Sequence, residues 1–197
     1  MRETIRLAEE LGVRVMVHCS NPPELMDHLL DLLRPGDILS HAFQNKGSSI
    51  LDSHGKISEA AQKAKERGVI FDVAHANIHF SFDVATKSFN QGLLPDTIST
   101  DLTIRSLYKR PAVMTMLHVV SKLMTMGMTL NQVVKACTQT PAGILGKELE
   151  LGSLTPGTTA DITVVKLIQT KTEFGDCNGN IIYGSQQYLW KEQRFNV

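Results

Sequence analysis

Short apolar runs alternate with amphipathic segments along the first half of the chain. Four of these runs are predicted to be strands: Val13–Val17, Asp37–His41, Val69–Val73 and Asp96–Asp101. Between and after the strands, apolar residues recur at helical spacing, and glycine, proline or serine marks the helix ends. Strands that alternate with helices suit right-handed βαβ crossovers, so we expect the four strands to lie parallel and adjacent.

The second half of the chain changes in character. An apolar, methionine-rich helix is predicted over Pro111–Met126, and two shorter helices follow it. From Gly152 onward, glycine, threonine and alternating β-formers predict a small β segment. The sequence therefore predicts an α/β body over residues 1–150 and a separate β segment over residues 151–197.

Polar side chains end three of the predicted strands. His18 and His41 close the first two strands, and Asp101 closes the fourth. In barrels of parallel strands these ends meet at one rim, so we expect the three side chains to converge. Two imidazoles and a carboxylate are suitable ligands for Zn²⁺, Fe²⁺ or Mn²⁺. Each histidine alone is more typical of a hydrogen-bonded strand end, and it is their shared placement that favours a metal site.

Two other histidines follow the third predicted strand. His75 lies just past the strand and is predicted to face the same rim, where it would contact substrate. His79 is predicted to be a loop residue further from the rim. Cys19 adjoins His18, but alternation along the strand points it to the opposite face, so it is not counted as a ligand.

Charge and cysteine content narrow the function classes. The 20 basic and 20 acidic residues cancel, which gives no electrostatic case for a nucleic-acid partner or an anionic membrane surface. A small-molecule substrate is the better expectation. The three cysteines form no C-x-x-C pair, as is typical of a reducing compartment, so we expect a cytoplasmic protein. No apolar stretch approaches the roughly 18 residues of a membrane span, and no signal peptide is expected.

Five sequence motifs, in order, resemble the C-terminal half of the amidohydrolase superfamily, in particular its dihydroorotase-like and deacetylase-like members. They are VMVHCSNPP, GDILSHAFQ, GVIFDVAHANIHFSFDVA, LLPDTISTDL and TPAGILGKELELGSLTPGTTADITVV. The resemblance implies an α/β fold, the last four βα units of a (β/α)8 barrel with extra helices, followed by part of a β-sandwich. It also implies hydrolysis of an amide or cyclic ureide C–N bond at a centre of one or two divalent metals, with zinc the expected ion.

The resemblance also implies roles for individual residues. His18 and His41 match metal ligands, and Asp101 matches the residue that is both metal ligand and general base. His75 falls where deacetylase-like relatives have a Gly-His-Gly motif, but Ala74 and Ala76 replace the two glycines. Alanine at these positions disfavours a close approach of the backbone to substrate.

Two metal-binding elements of the family have no counterpart in this sequence. No His-x-His precedes His18, and the lysine that bridges two metals in the family is not matched. We therefore expect either the C-terminal part of a longer or split amidohydrolase, or an inactive half-barrel that serves as an assembly or binding module. A third interpretation is an unrelated α/β protein whose rim histidines only form hydrogen bonds. A half-barrel has open edges, so we expect it to join a complementing N-terminal half or a second copy in a homo-oligomer.

Overall fold

The structure is a computed structural model that describes residues 1–107, 109 and 115–190. Its helices are α1 (Arg2–Leu11), α2 (Met26–Leu32), α3 (Glu59–Arg67), α4 (Phe82–Asn90), α5 (Met116–Thr125), α6 (Leu130–Cys137) and α7 (Gln139–Ile144). Its strands are β1 (Met16–His18), β2 (Ile38–Ser40), β3 (Ile70–Phe71), β4 (Val165–Gly175) and β5 (Ile181–Trp190). The chain thus has a mixed α/β fold.

The first three strands form a parallel sheet in chain order. Met16 of β1 is paired with Ile38 of β2, and Ile38 is paired with Ile70 of β3. Helices α2 and α3 connect successive strands, as predicted for βαβ units. Each strand is two or three residues long, shorter than the five-residue runs predicted. This succession of parallel strands and helices is consistent with part of a barrel.

The prediction of a fourth full strand over Asp96–Asp101 is wrong. The segment lies beside β3, as expected, but it forms only one isolated parallel bridge, between Thr97 and Asp72. The N–H of Ile98 donates to the carbonyl of Ala136 in α6, so this group is not available to a strand neighbour. Further along, the N–H of His75 donates to the carbonyl of Ser99 at 3.1 Å, which keeps the segment beside the chain that leaves β3.

Side-chain caps set the helix ends that the sequence indicates. Ser58 accepts a hydrogen bond from the N–H of Ala61 at the start of α3, and Thr129 and Gln132 form a capping box on α6. Helix α5 begins at Met116, after the cap Thr115. The first part of the predicted helix Pro111–Met126, through Met114, lies outside the described residues.

The core lies between the sheet and the helices. Leu39 of β2 and Phe71 of β3 are fully buried on the side of the sheet that packs against α2, α3 and α4. Each fully buried leucine or phenylalanine side chain contributes about 1.5–3 kcal/mol relative to exposure. The helix residues that share this core with less than a tenth of their surface exposed include Met26, Leu30, Ala61, Ala64, Val84 and Ala85. The packing fixes the strand ends, where the candidate site lies.

The β segment is an antiparallel hairpin, β4–β5, that packs on α5. Phe174 of β4 is fully buried, and the N–H of Tyr188 donates to Ser121 Oγ at 2.9 Å. The hairpin turn reaches α4, because Asp176 Oδ2 accepts the N–H of Phe82 at 3.0 Å. The division at residues 150 and 151 stays a prediction, and residues 191–197 lie outside the described part.

None of the helices in the described part of the chain combines the length and apolar character needed to cross a membrane.

Candidate metal centre

Three histidine side chains meet at the C-terminal end of the sheet. His18 is the last residue of β1, His41 follows β2, and His79 belongs to the loop between β3 and α4. Each can offer one ring nitrogen such that the three nitrogens lie within 4.8 Å of one another. The structure therefore brings together the two predicted histidines and adds a third.

His41 is at the centre of this cluster and is held on both sides. Its side chain is buried; Nδ1 donates to the carbonyl of Ala74 at 2.6 Å, and Nε2 lies 2.8 Å from His18 Nδ1. Because the Ala74 carbonyl can only accept, Nε2 is the bare nitrogen that faces His18. Burial lowers the pKa of His41, and the hydrogen bond to Ala74 opposes this only partly. The ring is therefore a neutral imidazole, the form that binds metals.

The expectation that His79 lies further from the rim is wrong. Its ring centroid is 3.9 Å from that of His41 and 5.3 Å from that of His18, and only 7% of the residue is exposed. Burial, together with His41 and His18, lowers its pKa to about 4. The sequence signal was a second histidine in the segment after the third strand. It was passed over because strand alternation gives no direction to a loop side chain.

Asp101 lies beside the histidines and is exposed, as is His18, whereas His41 and His79 are buried. Its Oδ2 is 3.9 Å from His41 Nε2, and 41% of its side chain is exposed. The residue has φ of 47°, a left-handed conformation that is uncommon for residues other than glycine. The predicted set of His18, His41 and Asp101 is thus gathered at one rim, with the carboxylate open to solvent.

Asp72 ties the segment that carries Asp101 to the end of β3. Its carboxylate accepts from Thr97 Oγ at 2.6 Å and from Ser99 Oγ at 2.8 Å. Burial raises the pKa of Asp72, and the two hydroxyl hydrogen bonds work in the opposite direction. These contacts hold the chain just before Asp101.

The rim backbone is strained in addition. His41, Ala74, Ala76 and Asp101 all have positive φ, between 36° and 60°. A left-handed conformation costs about 1–2 kcal/mol for a residue with a Cβ. Such outliers cluster where a surrounding structure holds them for a function.

His75 is placed differently from the other predicted site residues. It is 1% exposed; Nε2 accepts from Lys122 Nζ at 2.6 Å, Nδ1 donates to the carbonyl of Ala76, and the ring stacks on Phe80 at 4.7 Å. Both ring nitrogens thus have protein partners in this conformation. A contact between His75 and substrate stays a prediction. Cys19 is buried with Sγ 3.9 Å from the sulfur of Met26, and burial raises its pKa.

The donor set fits a divalent metal ion. His79 Nδ1 is buried with no hydrogen-bond partner among the described residues, an arrangement that is costly unless a ligand completes it. Neutral imidazoles with an adjacent carboxylate are the common ligands of catalytic zinc, and the exposed sides of His18 and Asp101 leave room for water and substrate. The residues that could hold the ion are His18, His41, His79 and Asp101.

Most of this chain can be aligned with known proteins of similar sequence. It is 37% identical over 177 residues to a deacetylase of Agrobacterium fabrum, and 35% identical over 177 residues to a deacetylase of Brucella anthropi. Each match covers 89% of this chain but only 42% and 43% of the respective relative. The chain therefore spans less than half the length of these relatives.

Solved structures give the same result. A dihydroorotase matches with a TM-score of 0.82 and 33% identity over 95% of this chain, and an adenine deaminase with 0.86 and 29% over 93%. In both cases the match covers 50% of the other chain. The model of the amidohydrolase family matches residues 1–185. This chain therefore belongs to the amidohydrolase family.

Proposed function

We propose that this chain is the C-terminal half of a metal-dependent amidohydrolase that hydrolyses a C–N bond in a small amide or cyclic ureide. The observation that carries the proposal is the convergence of His18, His41 and His79 on one rim, with Asp101 Oδ2 3.9 Å from His41 Nε2. Relatives named deacetylase and a similar structure named dihydroorotase support the reaction class. We further propose that the parallel βα units are four of the eight in a (β/α)8 barrel.

The three histidines would hold the ion, with Asp101 beside it. A divalent ion at such a site supplies Lewis-acid activation of water and of the carbonyl under attack. Within this chain, Asp101 is the group that can accept a proton from the attacking water and pass it to the leaving nitrogen as the C–N bond breaks. His41 keeps Nε2 turned to the cluster because Nδ1 is bonded to Ala74.

His79 adds a ligand where the sequence lacks the family's His-x-His. With His79, this chain alone presents three imidazoles, the number of protein ligands in many catalytic zinc sites. We propose a single zinc ion held in this way, and a partner that supplies the rest of the barrel. The site of that partner is the edge of the sheet at β1, where Met16 is 60% exposed.

The test has two parts, metal binding and hydrolysis. Metal-free protein is titrated with Zn²⁺, and release of product from N-acetyl amino acids and dihydroorotate is measured with and without an added N-terminal half. We expect one zinc per chain, and activity that the Asp101→Asn variant loses. Asp83→Asn, an exposed carboxylate of α4, is the matched control and is expected to keep activity.

Two results would contradict the proposal. Zinc binding without hydrolysis after complementation would favour the alternative of a catalytically inactive module for assembly or binding. A chain that binds no zinc would mean that the rim histidines serve only as hydrogen-bonding groups. Sedimentation identifies the partner: a dimer of this chain would show that a second copy, rather than an N-terminal half, completes the barrel.

A further inference from the structure

A fully buried lysine lies behind the candidate metal centre. Lys122 of α5 donates from Nζ to His75 Nε2 at 2.6 Å and to the carbonyl of Gly175 at 2.7 Å. The rings of Phe80 and Phe82 lie 5.8 and 5.7 Å from the same nitrogen. Lysine is almost never fully buried unless its amine is paired, so this side chain has a specific role in the fold.

The partners of His75 fix its protonation and its orientation. The carbonyl of Ala76 can only accept, which places the ring proton on Nδ1, and Lys122 donates to the bare Nε2. Burial and the charge of Lys122 both lower the pKa of His75, so the ring stays neutral. Stacking on Phe80 fixes the plane of the ring. Lys122 is thus one of three contacts that immobilise His75.

The same short loop carries the group that orients His41. Ala74 precedes His75, and its carbonyl accepts the Nδ1 proton of His41 at 2.6 Å. Ala74 and Ala76 both have left-handed φ, at 36° and 41°, so this loop conformation is strained and needs contacts that hold it. The immobilised ring of His75, between the two alanines, is such a contact.

We propose that Lys122 is a positioning residue for the metal centre: by anchoring His75, it holds the loop 74–76 so that the Ala74 carbonyl keeps His41 Nε2 directed at the cluster. The inference rests on the proposed function in that it takes His41 to be a metal ligand. It also connects the hairpin to the rim, because the second partner of Lys122 is Gly175 at the end of β4.

The experiment uses Lys122→Met, which keeps an unbranched side chain as far as the ε position and removes the amine donor. In metal-free protein, ¹⁵N NMR of the histidine rings should show the His75 Nε2 resonance moving towards that of an unbonded imidazole nitrogen. The fraction of His41 protonated on Nδ1 should fall at the same time. Zinc affinity should fall about 10- to 100-fold, the usual effect of removing a group that orients a ligand.

Ser121→Ala is the matched control. Ser121 is the neighbouring buried residue on α5 and contacts Leu117 and Tyr188 rather than His75. This variant should lose some stability while it keeps the histidine spectra and the zinc affinity of the parent chain. Lys122→Met with unchanged His41 resonances and unchanged zinc affinity would overturn the proposal.

A second variant covers the case in which Lys122→Met does not fold. His75→Phe keeps a ring that can stack on Phe80 and removes both nitrogens, and it should lower zinc affinity by a similar factor. Where both variants fold, the double variant should bind zinc as tightly as His75→Phe alone. The reason is that Lys122 is proposed to act on the metal centre through His75. Additive losses would show independent action, and His75→Phe with the parent's zinc affinity would also overturn the proposal.

The failure of this proposal can be told apart from failure of the proposed function. If the unaltered chain binds no zinc, the proposed metal centre is wrong. The NMR spectra of metal-free protein still show whether Lys122 controls the proton on His41, and unchanged spectra in Lys122→Met refute that control.

Discussion

The histidine cluster at the rim and the turn of the β4–β5 hairpin are both polar, yet they are satisfied to different degrees. In the turn, Asp176 is fully buried and accepts the N–H groups of Phe82, Asn178 and Asn180, with a fourth bond from Asn180 Nδ2. In the cluster, His79 Nδ1 is buried without a hydrogen-bond partner among the described residues. The difference separates a buried polar group with several hydrogen-bond partners from one without a partner among the described residues, where we propose that a metal ion binds.

The largest expected effect is on zinc affinity and comes from removing His79, whose Nδ1 has no hydrogen-bond partner among the described residues. His79→Ala should lower zinc affinity by more than about 100-fold, beyond the 10- to 100-fold typical of residues that only orient a ligand. His54→Ala removes an exposed histidine from the loop before α3 and should leave affinity unchanged. Titration with zinc in competition with a chelator measures both. Equal affinity in the two variants would mean that His79 is a packed residue rather than a ligand.

Removing the hydrogen-bonded carboxylate of Asp176 should lower the stability of the fold rather than zinc affinity. Asp176→Ala leaves buried N–H groups without an acceptor, so the free energy of unfolding should fall by about 2 kcal/mol. Urea unfolding followed by circular dichroism gives the value. Asp83→Ala, an exposed carboxylate of α4 in an ion pair with Lys87, should change it by less than about 0.5 kcal/mol. A loss no larger than that of the control would show that the turn contributes little to stability.

The pH dependence of stability gives a finer test of the same turn. Burial alone raises the pKa of Asp176, but the hydrogen bonds from Phe82, Asn180 and Asn178 outweigh it, and the pKa lies below its ordinary value. The contribution of Asp176 is therefore present in full above the unfolded pKa of about 4 and is lost as the pH falls through the lower folded value. Asp176→Asn should show a smaller loss of stability on acidification than the unaltered chain. Parallel curves of unfolding free energy against pH would contradict this.

The smallest effect concerns the strain at the rim. Ala74→Gly and Ala76→Gly relieve a left-handed φ that costs about 1–2 kcal/mol, but each also adds about 0.5–1 kcal/mol of unfolded-state entropy. A net gain of about 0.5 kcal/mol per variant is expected in thermal or urea unfolding. Ala60→Gly, within α3, should instead lose about 1 kcal/mol. If the rim variants lose as much as Ala60→Gly, the rim backbone is not strained.

Much of the fold was predictable because local signals agree with the tertiary structure. Glycine stops and serine or threonine caps mark the ends of several helices, and the apolar runs give the three parallel strands. The segment 96–101 was predicted as a full strand because its composition is that of one. Its pairing depends on distant groups such as the Ala136 carbonyl, which no local pattern shows.

Among the three histidines of the candidate site, those predicted correctly are the two whose side chains a strand directs. His18 and His41 end or follow strands, and the sequence places both at the rim. His79 comes from a loop, and its direction depends on the packing of Phe80 and its neighbours in the core. Lys122 was not predicted for a related reason. A lysine in an apolar helix is usually exposed to solvent, whereas here the β4–β5 hairpin covers it.

Gly184 of β5 lacks a side chain, and this allows the hairpin to pack closely on α5. A Cβ at Gly184 would lie 2.6 Å from Thr125 Oγ and 2.9 Å from the ring of Phe174, closer than real Cβ contacts. A larger residue there would require the Thr125 hydroxyl and the Phe174 ring to shift, and these belong to the same two elements as Lys122 and its acceptor Gly175. A substitution at Gly184, far along the chain from every rim histidine, is therefore expected to disturb the contacts of Lys122.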